Sequence, residues 1–147
     1  VIPVSDEIDS FKVFEDDWVA MHRDGHHLAD IENITIEDIL NQRHLHVSNR
    51  RRGLHLIDLE LDKIGYRREV ALRCQHFLIA PQILRSTDLV LMGTRSFAIA
   101  NNLPFIEVPI EIPSMEYFLI WHKSDEGDGG HLWMKDLIIK AFIDAKK

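Results

Sequence analysis

The chain has 147 residues, 46% of them hydrophobic, which is the size of one ordinary domain able to bury its own core without disulfides or metal. A net charge of −7 speaks against these residues gripping DNA by its phosphates, and a single cysteine, Cys74, rules out an internal disulfide. No apolar run approaches the roughly 18 residues of a membrane span, and the start lacks the basic and apolar regions of a signal peptide, so a cytoplasmic protein is expected. The absence of an initiator methionine suggests a fragment or a processed chain.

In chain order, strands alternate with helices, a pattern that argues for a sheet with helices packed on its faces. Val13 to Met21 reads as a strand running into the polar turn Arg23-Asp24-Gly25-His26-His27. Thr35 with Asp38 three residues on forms a capping-box pattern that opens a short helix over Ile36, Ile39 and Leu40. His44 to Val47 reads as a second strand, and Asn49 to Gly53 as an exposed, arginine-rich loop. Leu54, Ile57, Leu61 and Ile64 share one helical face, with Gly65 placed as the C-cap.

From Arg67 to Met92 the sequence predicts strand, polar junction, helix and strand in close succession. Val70 and Leu72 alternate with charged residues, then Cys74, Gln75 and His76 stand where the strand hands over to an apolar helical segment. In open α/β sheets small molecules settle beyond the carboxyl ends of parallel strands, where helix N-termini offer free N–H groups. His76 falls at such a place. Arg95 to Asn101 reads as a short helix, and Phe105 to Ile110 as an extended segment whose flanking Pro109 and Pro113 argue against a central strand. Tyr117 to Trp121 reads as a short buried strand, Ser124 to Gly130 as an acidic, glycine-rich loop, and Trp133, Leu137, Ile138, Ala141 and Phe142 as one face of a final amphipathic helix.

Five segments in order carry a resemblance. Phe14-Glu15-Asp16-Asp17-Trp18-Val19 comes first, then Arg23 to Ala29, similar to a "GHPLA" turn with His27 in place of proline. Gly65 to Leu72 resembles "G-x-x-R-x-V-A-L". Gln75-His76-Phe77 with Ser86-Thr87-Asp88-Leu89 resembles a "PHF … TDL" pair, and Ile120-Trp121-His122 with His131-Leu132-Trp133 an "LLWH … HRWLR" ending. Together they resemble the effector-binding domain of LysR-type transcriptional regulators, in the branch that senses aromatic acids and flavonoid-like inducers.

The resemblance implies an α/β fold like the type II periplasmic binding proteins, with Rossmann-like lobes, each a mixed sheet flanked by helices. Residues 1–13 would end the first lobe and make a crossover, 14–103 would form the second lobe, and 104–147 would cross back and return to the first. In family members a winged helix-turn-helix and half of the first lobe come before the segment that matches Val1, so the first lobe is expected to be incomplete here. A small organic acid, aromatic or not, would bind between the lobes. The resemblance places His44 and His76 along that cleft; beside them Phe77 offers an aromatic face to a ring, and Thr94 and Arg95, following the Leu89 to Met92 strand at a strand end, are candidates to meet a polar effector group. DNA would be reached only through the helix-turn-helix, and dimers or tetramers would form in the intact protein.

Bland readings accompany each candidate. His76 at a core edge bonds a carbonyl in many proteins, Phe77 suits helix packing, and Thr94 suits a helix start. The nine histidines, with His22 and His26 four apart and His44 flanking Leu45 with His46, raise a metal-dependent enzyme, yet no HExxH, cysteine pair or carboxylate framework accompanies them. No GxSxG, GxGxxG after a strand or P-loop is present, and Cys74 with His76 is no recognised nucleophile pair. Neither catalysis, cofactor nor metal is therefore expected. A stand-alone solute-binding protein of the same fold remains the other alternative. Asn49-Arg50-Arg51-Arg52 reads as solvated surface.

Overall fold

The computed structural model describes residues 6–48 and 56–144. The Arg50 to Arg52 loop and the expected helix start at Leu54 lie outside the described residues. The chain divides into two units, one made of Val1–Glu15 with Met115–Lys147, the other of Asp16–Ser114.

The larger unit is built on strands. β1 (Ile8–Asp16) ends as this unit begins, and β2 (Trp18–Met21) follows after Asp17. Residues 13–21, expected as one strand, are therefore two, broken at Asp17. All four residues of β2 are buried, because it lies in the middle of a three-stranded ladder in the order β5-β2-β6. Its partners β5 (Leu91–Thr94) and β6 (Phe105–Glu107) both run antiparallel to it, pairing Trp18 with Thr94 and Val19 with both Gly93 and Glu107. β6 sits at an edge, where the prolines that follow it remove no ladder bond.

A second ladder holds β3 (Arg43–Val47) and β4 (Glu69–Cys74) in parallel, with a register shift between His44 and Leu45. The ladders are linked where Leu45 N–H donates to the Val90 carbonyl at 2.9 Å and Val90 N–H to the Arg43 carbonyl at 3.0 Å. β3, β4 and the approach to β5 thus share one direction, and Val47, Cys74 and Thr94 lie at their carboxyl ends.

Helix boundaries follow local chemistry. α1 (Ile36–Leu40) opens on the capping box: the Asp38 amide donates to Thr35 Oγ1 at 3.2 Å, and the Thr35 amide to Asp38 Oδ2 at 2.8 Å. That second bond and the Thr35 hydroxyl hold the Asp38 carboxyl below its usual pKa. α2 (Leu56–Lys63) ends at Gly65, whose φ of 83° is the left-handed conformation of a Schellman cap; Tyr66 N–H returns to Leu61 O and Gly65 N–H to Asp62 O. α2 buries Ile57 and Leu61 and leaves Leu56 and Leu59 exposed, with Ile64 exposed just after it. A 3-10 turn (Phe77–Ile79) leads into α3 (Ala80–Arg85), and α4 (Arg95–Ala100) starts directly from β5.

Val19, Met21, Leu45, Leu84, Leu91 and Ala98 form the centre of the core between these elements. At Gly93 a methyl group would stand 2.6 Å from Cε of the fully buried Met21. Gly93→Ala is expected to lower unfolding stability by about 1–3 kcal/mol, the range for overpacking, in a urea titration.

The smaller unit pairs β1 with β7 (Met115–His122) and adds a 3-10 turn (Lys123–Gly127) and α5 (Gly129–Asp144). Phe14 lies 5.8 Å from the Tyr117 ring and 6.2 Å from that of Phe142. β7 was expected to be buried and α5 to bury one face. Instead β7 is exposed or half-buried along its length and α5 has no buried residue. Two strands cannot cover a helix that carries Leu132, Trp133, Met134, Leu137 and Ile143 around its circumference.

Candidate functional site

The carboxyl ends of β3, β4 and β5 gather four of the five residues singled out in the sequence. His76 follows β4 as the N-cap of the 3-10 turn, exposed, with no capping bond from its ring. Its backbone is fixed instead by Cys74, whose Sγ lies 3.4 Å from both the amide and the carbonyl of His76. Phe77 is 48% exposed and meets the Phe97 ring edge-on at 5.7 Å, which brings the start of the 3-10 turn against α4. Thr94 caps α4 with an extended backbone, yet its hydroxyl makes no capping bond. Among the described residues the His76 ring and the Thr94 hydroxyl thus make no capping bond and are left as polar groups on this edge.

Arg95 is placed there too, but its charge is already engaged. Its guanidinium forms a two-armed pair with the Glu107 carboxylate, one arm at 2.6 Å, and lies 5.5 Å from the centre of the Phe105 ring. Glu107 raises the Arg95 pKa further above its ordinary value. Nor is the amide at the start of α4 open to an outside anion: Ser96 N–H donates to Asp16 Oδ1 at 3.2 Å, and Ser96 Oγ donates to Asp16 Oδ2. Asp16 is 5% exposed. Neither Asp16 nor Ser96 was singled out in the sequence. The signal was a serine in the first turn of a helix beginning straight from a strand, a position that attracts a carboxylate.

His44 is not brought to this edge. It lies near the amino end of β3, fully buried, with its ring Nε2 3.1 Å from the Ile39 carbonyl. Nδ1 faces the Val90 backbone without a hydrogen bond of normal geometry. Burial first, and the nearby Arg68 charge second, push its pKa down to about 4, so the ring is neutral and supports α1 on β3.

Beneath α2 the second histidine of that strand, His46, joins a buried charged group. The Arg68 side chain is 2% exposed; its Nε donates to Asp58 Oδ1 at 2.6 Å and its Nη2 lies 3.4 Å from His46 Nδ1. His22 and His26 are also buried, their rings 5.5 Å apart. His26 accepts from the Leu28 amide and contacts the Asp88 carbonyl, so both its nitrogens serve the turn; burial holds its pKa below the ordinary value. Among the described residues no three His, Cys, Asp or Glu side chains gather as metal ligands do.

Among the described residues of the larger unit, cavities open away from the carboxyl edge. One of about 300 Å³ runs between α2 and β4, lined by Asp58, Tyr66, Arg67 and Arg73 among others. Another of about 420 Å³ lies at the amino end of β3, beside Arg43 and Asp88. The carboxyl edge itself carries the exposed His76 and Phe77 and the half-buried Thr94.

A family model described as the LysR substrate binding domain matches residues 2–142. The chain belongs to the LysR substrate-binding domain family. Among curated relatives this LysR domain is 27% identical over 138 residues to the HTH-type transcriptional activator NagR of a Ralstonia species, covering 91% of this chain and 46% of that protein. The chain thus spans about half the length of the curated relatives it matches. Among solved structures, the regulatory domain of MexT, a transcriptional activator in Pseudomonas aeruginosa, superposes with a TM-score of 0.79 at 21% identity, covering 97% of this chain and 69% of that one. The effector-binding domain of QuiR, solved in complex with shikimate, does so at 0.75 and 14% identity, over 98% of this chain and 69% of that one. The α/β, periplasmic-binding-protein-like fold of this LysR domain is common to them. Among its described residues no helix is long and apolar enough to cross a membrane.

Proposed function

We propose that this LysR domain is the effector-sensing part of a cytoplasmic transcriptional regulator, holding a small organic acid against the carboxyl edge of β3, β4 and β5. The observation that carries the reading is the pair of polar groups without a capping bond, the His76 imidazole and the Thr94 hydroxyl, on an edge where α/β sheets take ligands. A carboxylate there would accept a hydrogen bond from both. Phe77 offers half its ring face to an aromatic effector. Arg95 serves through its pair with Glu107, shaping the edge, and His44 serves from behind by holding β3 in place.

Membership of a regulatory family supports a sensing role. The effector would bind one arrangement of the lobes better than another, and that difference in affinity would pass to DNA through an N-terminal helix-turn-helix. The exposed Leu56 and Leu59 of α2, with Ile64 just after it, offer apolar surface for self-association. The shikimate held by QuiR, a neighbour of the same fold, supports an organic-acid effector. His76→Ala in the full-length regulator is expected to raise the half-maximal inducer concentration by roughly 10–100-fold, the loss of one charge-assisted hydrogen bond of about 1.5–3 kcal/mol. A reporter dose response that does not move would remove His76 from the site.

A further inference from the structure

The chain passes between its two units twice, at Glu15–Asp16 and at Ser114–Met115, and both passages meet at the start of α4. On the way in, Asp16 accepts two hydrogen bonds from Ser96, and the Asp17 carbonyl accepts one from the Arg95 amide at 2.9 Å. On the way out, Ser114 Oγ donates to the Asp17 carboxylate at 2.8 Å, and the buried Trp18 donates from its indole to the Pro113 carbonyl at 3.1 Å. Arg95 then ties the same point to β6 through Glu107. We infer that Asp16 is a positioning residue: its buried carboxylate on Ser96 locks the first turn of α4 to both chain passages, so that whatever moves Thr94–Ser96 moves them together.

The physical ground is that a buried carboxylate must keep its donors. Asp16 is almost without solvent, and the Ser96 amide and hydroxyl are the donors it has in the described structure, so leaving them means leaving a charge unsolvated. Asp17 has no such constraint, being exposed, and follows Asp16 through the backbone. The consequence for signalling rests on the reading of the carboxyl edge as the ligand edge: an effector at Thr94 would act on a turn already coupled to both passages, without a contact of its own to either.

Hydrogen exchange of the full-length protein, read by mass spectrometry without any ligand, tests the lock and leaves the effector reading aside. Asp16→Ala is expected to speed exchange about tenfold in the segments covering 94–98, 16–18 and 111–114 together, while β3 and β4 stay protected, since opening would be a shared local event. Ser96→Ala, which removes the hydroxyl alone and keeps the fold under less strain, is expected to give the same pattern at smaller amplitude. Adding it to Asp16→Ala is expected to add nothing, because the two share one contact. Acceleration confined to 94–98, or none, would overturn the inference. Should Asp16→Ala loosen β3 and β4 as well, the Ser96→Ala pattern decides alone. Failure of this test leaves the His76 dose response standing, and failure of the dose response leaves the lock standing.

Discussion

Replacing Asp58 with alanine is expected to destabilise the protein by about 3–5 kcal/mol, the range for removing one partner of a buried ion pair. Arg68 has nowhere to take its charge. Its side chain is 2% exposed, one arm rests on Asp58, another reaches only His46, and Nη1 has no partner among the described residues. A guanidinium does not deprotonate to escape such a place, as a lysine would. Removing both charges is a different experiment: Asp58→Leu with Arg68→Met fills the space with apolar volume and is expected to fall within about 1–2 kcal/mol of the parent. Urea titrations of the single and double variants separate the cases. A single variant losing under about 1 kcal/mol would mean the pair is wet and worth little.

The second large effect is on acid stability. His44 has a folded pKa of about 4, well under its ordinary value of 6.5, because its ring is buried beside Arg68. Above pH 6.5 the ring is neutral in both folded and unfolded chains and contributes no pH dependence. Below that the unfolded chain binds a proton that the folded one refuses, so stability is lost as pH falls from 6.5 to 4 and levels off beyond. The whole loss is on the order of 3 kcal/mol. His44→Gln, which keeps a donor for the Ile39 carbonyl, is expected to start less stable at neutral pH and to show a flatter acid limb over that window. Parallel slopes for parent and variant would show that another group governs the limb.

Much of the larger unit was legible because its boundaries are local. Thr35 and Asp38 close their box within four residues, and Gly65 ends α2 by a conformation that side chains resist. The parallel strands and the junction at His76 followed from alternation and from the family pattern. What periodicity does not carry is depth. It puts His44 and His76 on strands that run the same way, but not that one stands near the amino end under α1 and the other past the carboxyl end in the open. Arg95 reads as an effector-site candidate in the sequence, whereas Glu107, brought beside it by the pairing of β2 with β6, engages its charge. The apolar run of β7 and the helix after it read as buried, and the residues that could cover them are not among β1, β7 and α5. Asp16 and Ser96 lie far apart in sequence and meet only through the Trp18–Thr94 register.

The order β5-β2-β6 also bears on how the chain comes off the ribosome. β2 is made before either of its partners, and all four of its residues are destined for the interior, yet Trp18 has to wait for Thr94 and Val19 for Glu107 before either side of the strand is paired. Until then an apolar ribbon with two open edges hangs unpaired, the state in which chains stick to one another. β3 and β4 close over a much shorter loop, so they are placed to form first and to offer a surface on which β5, then β2 and finally β6 assemble.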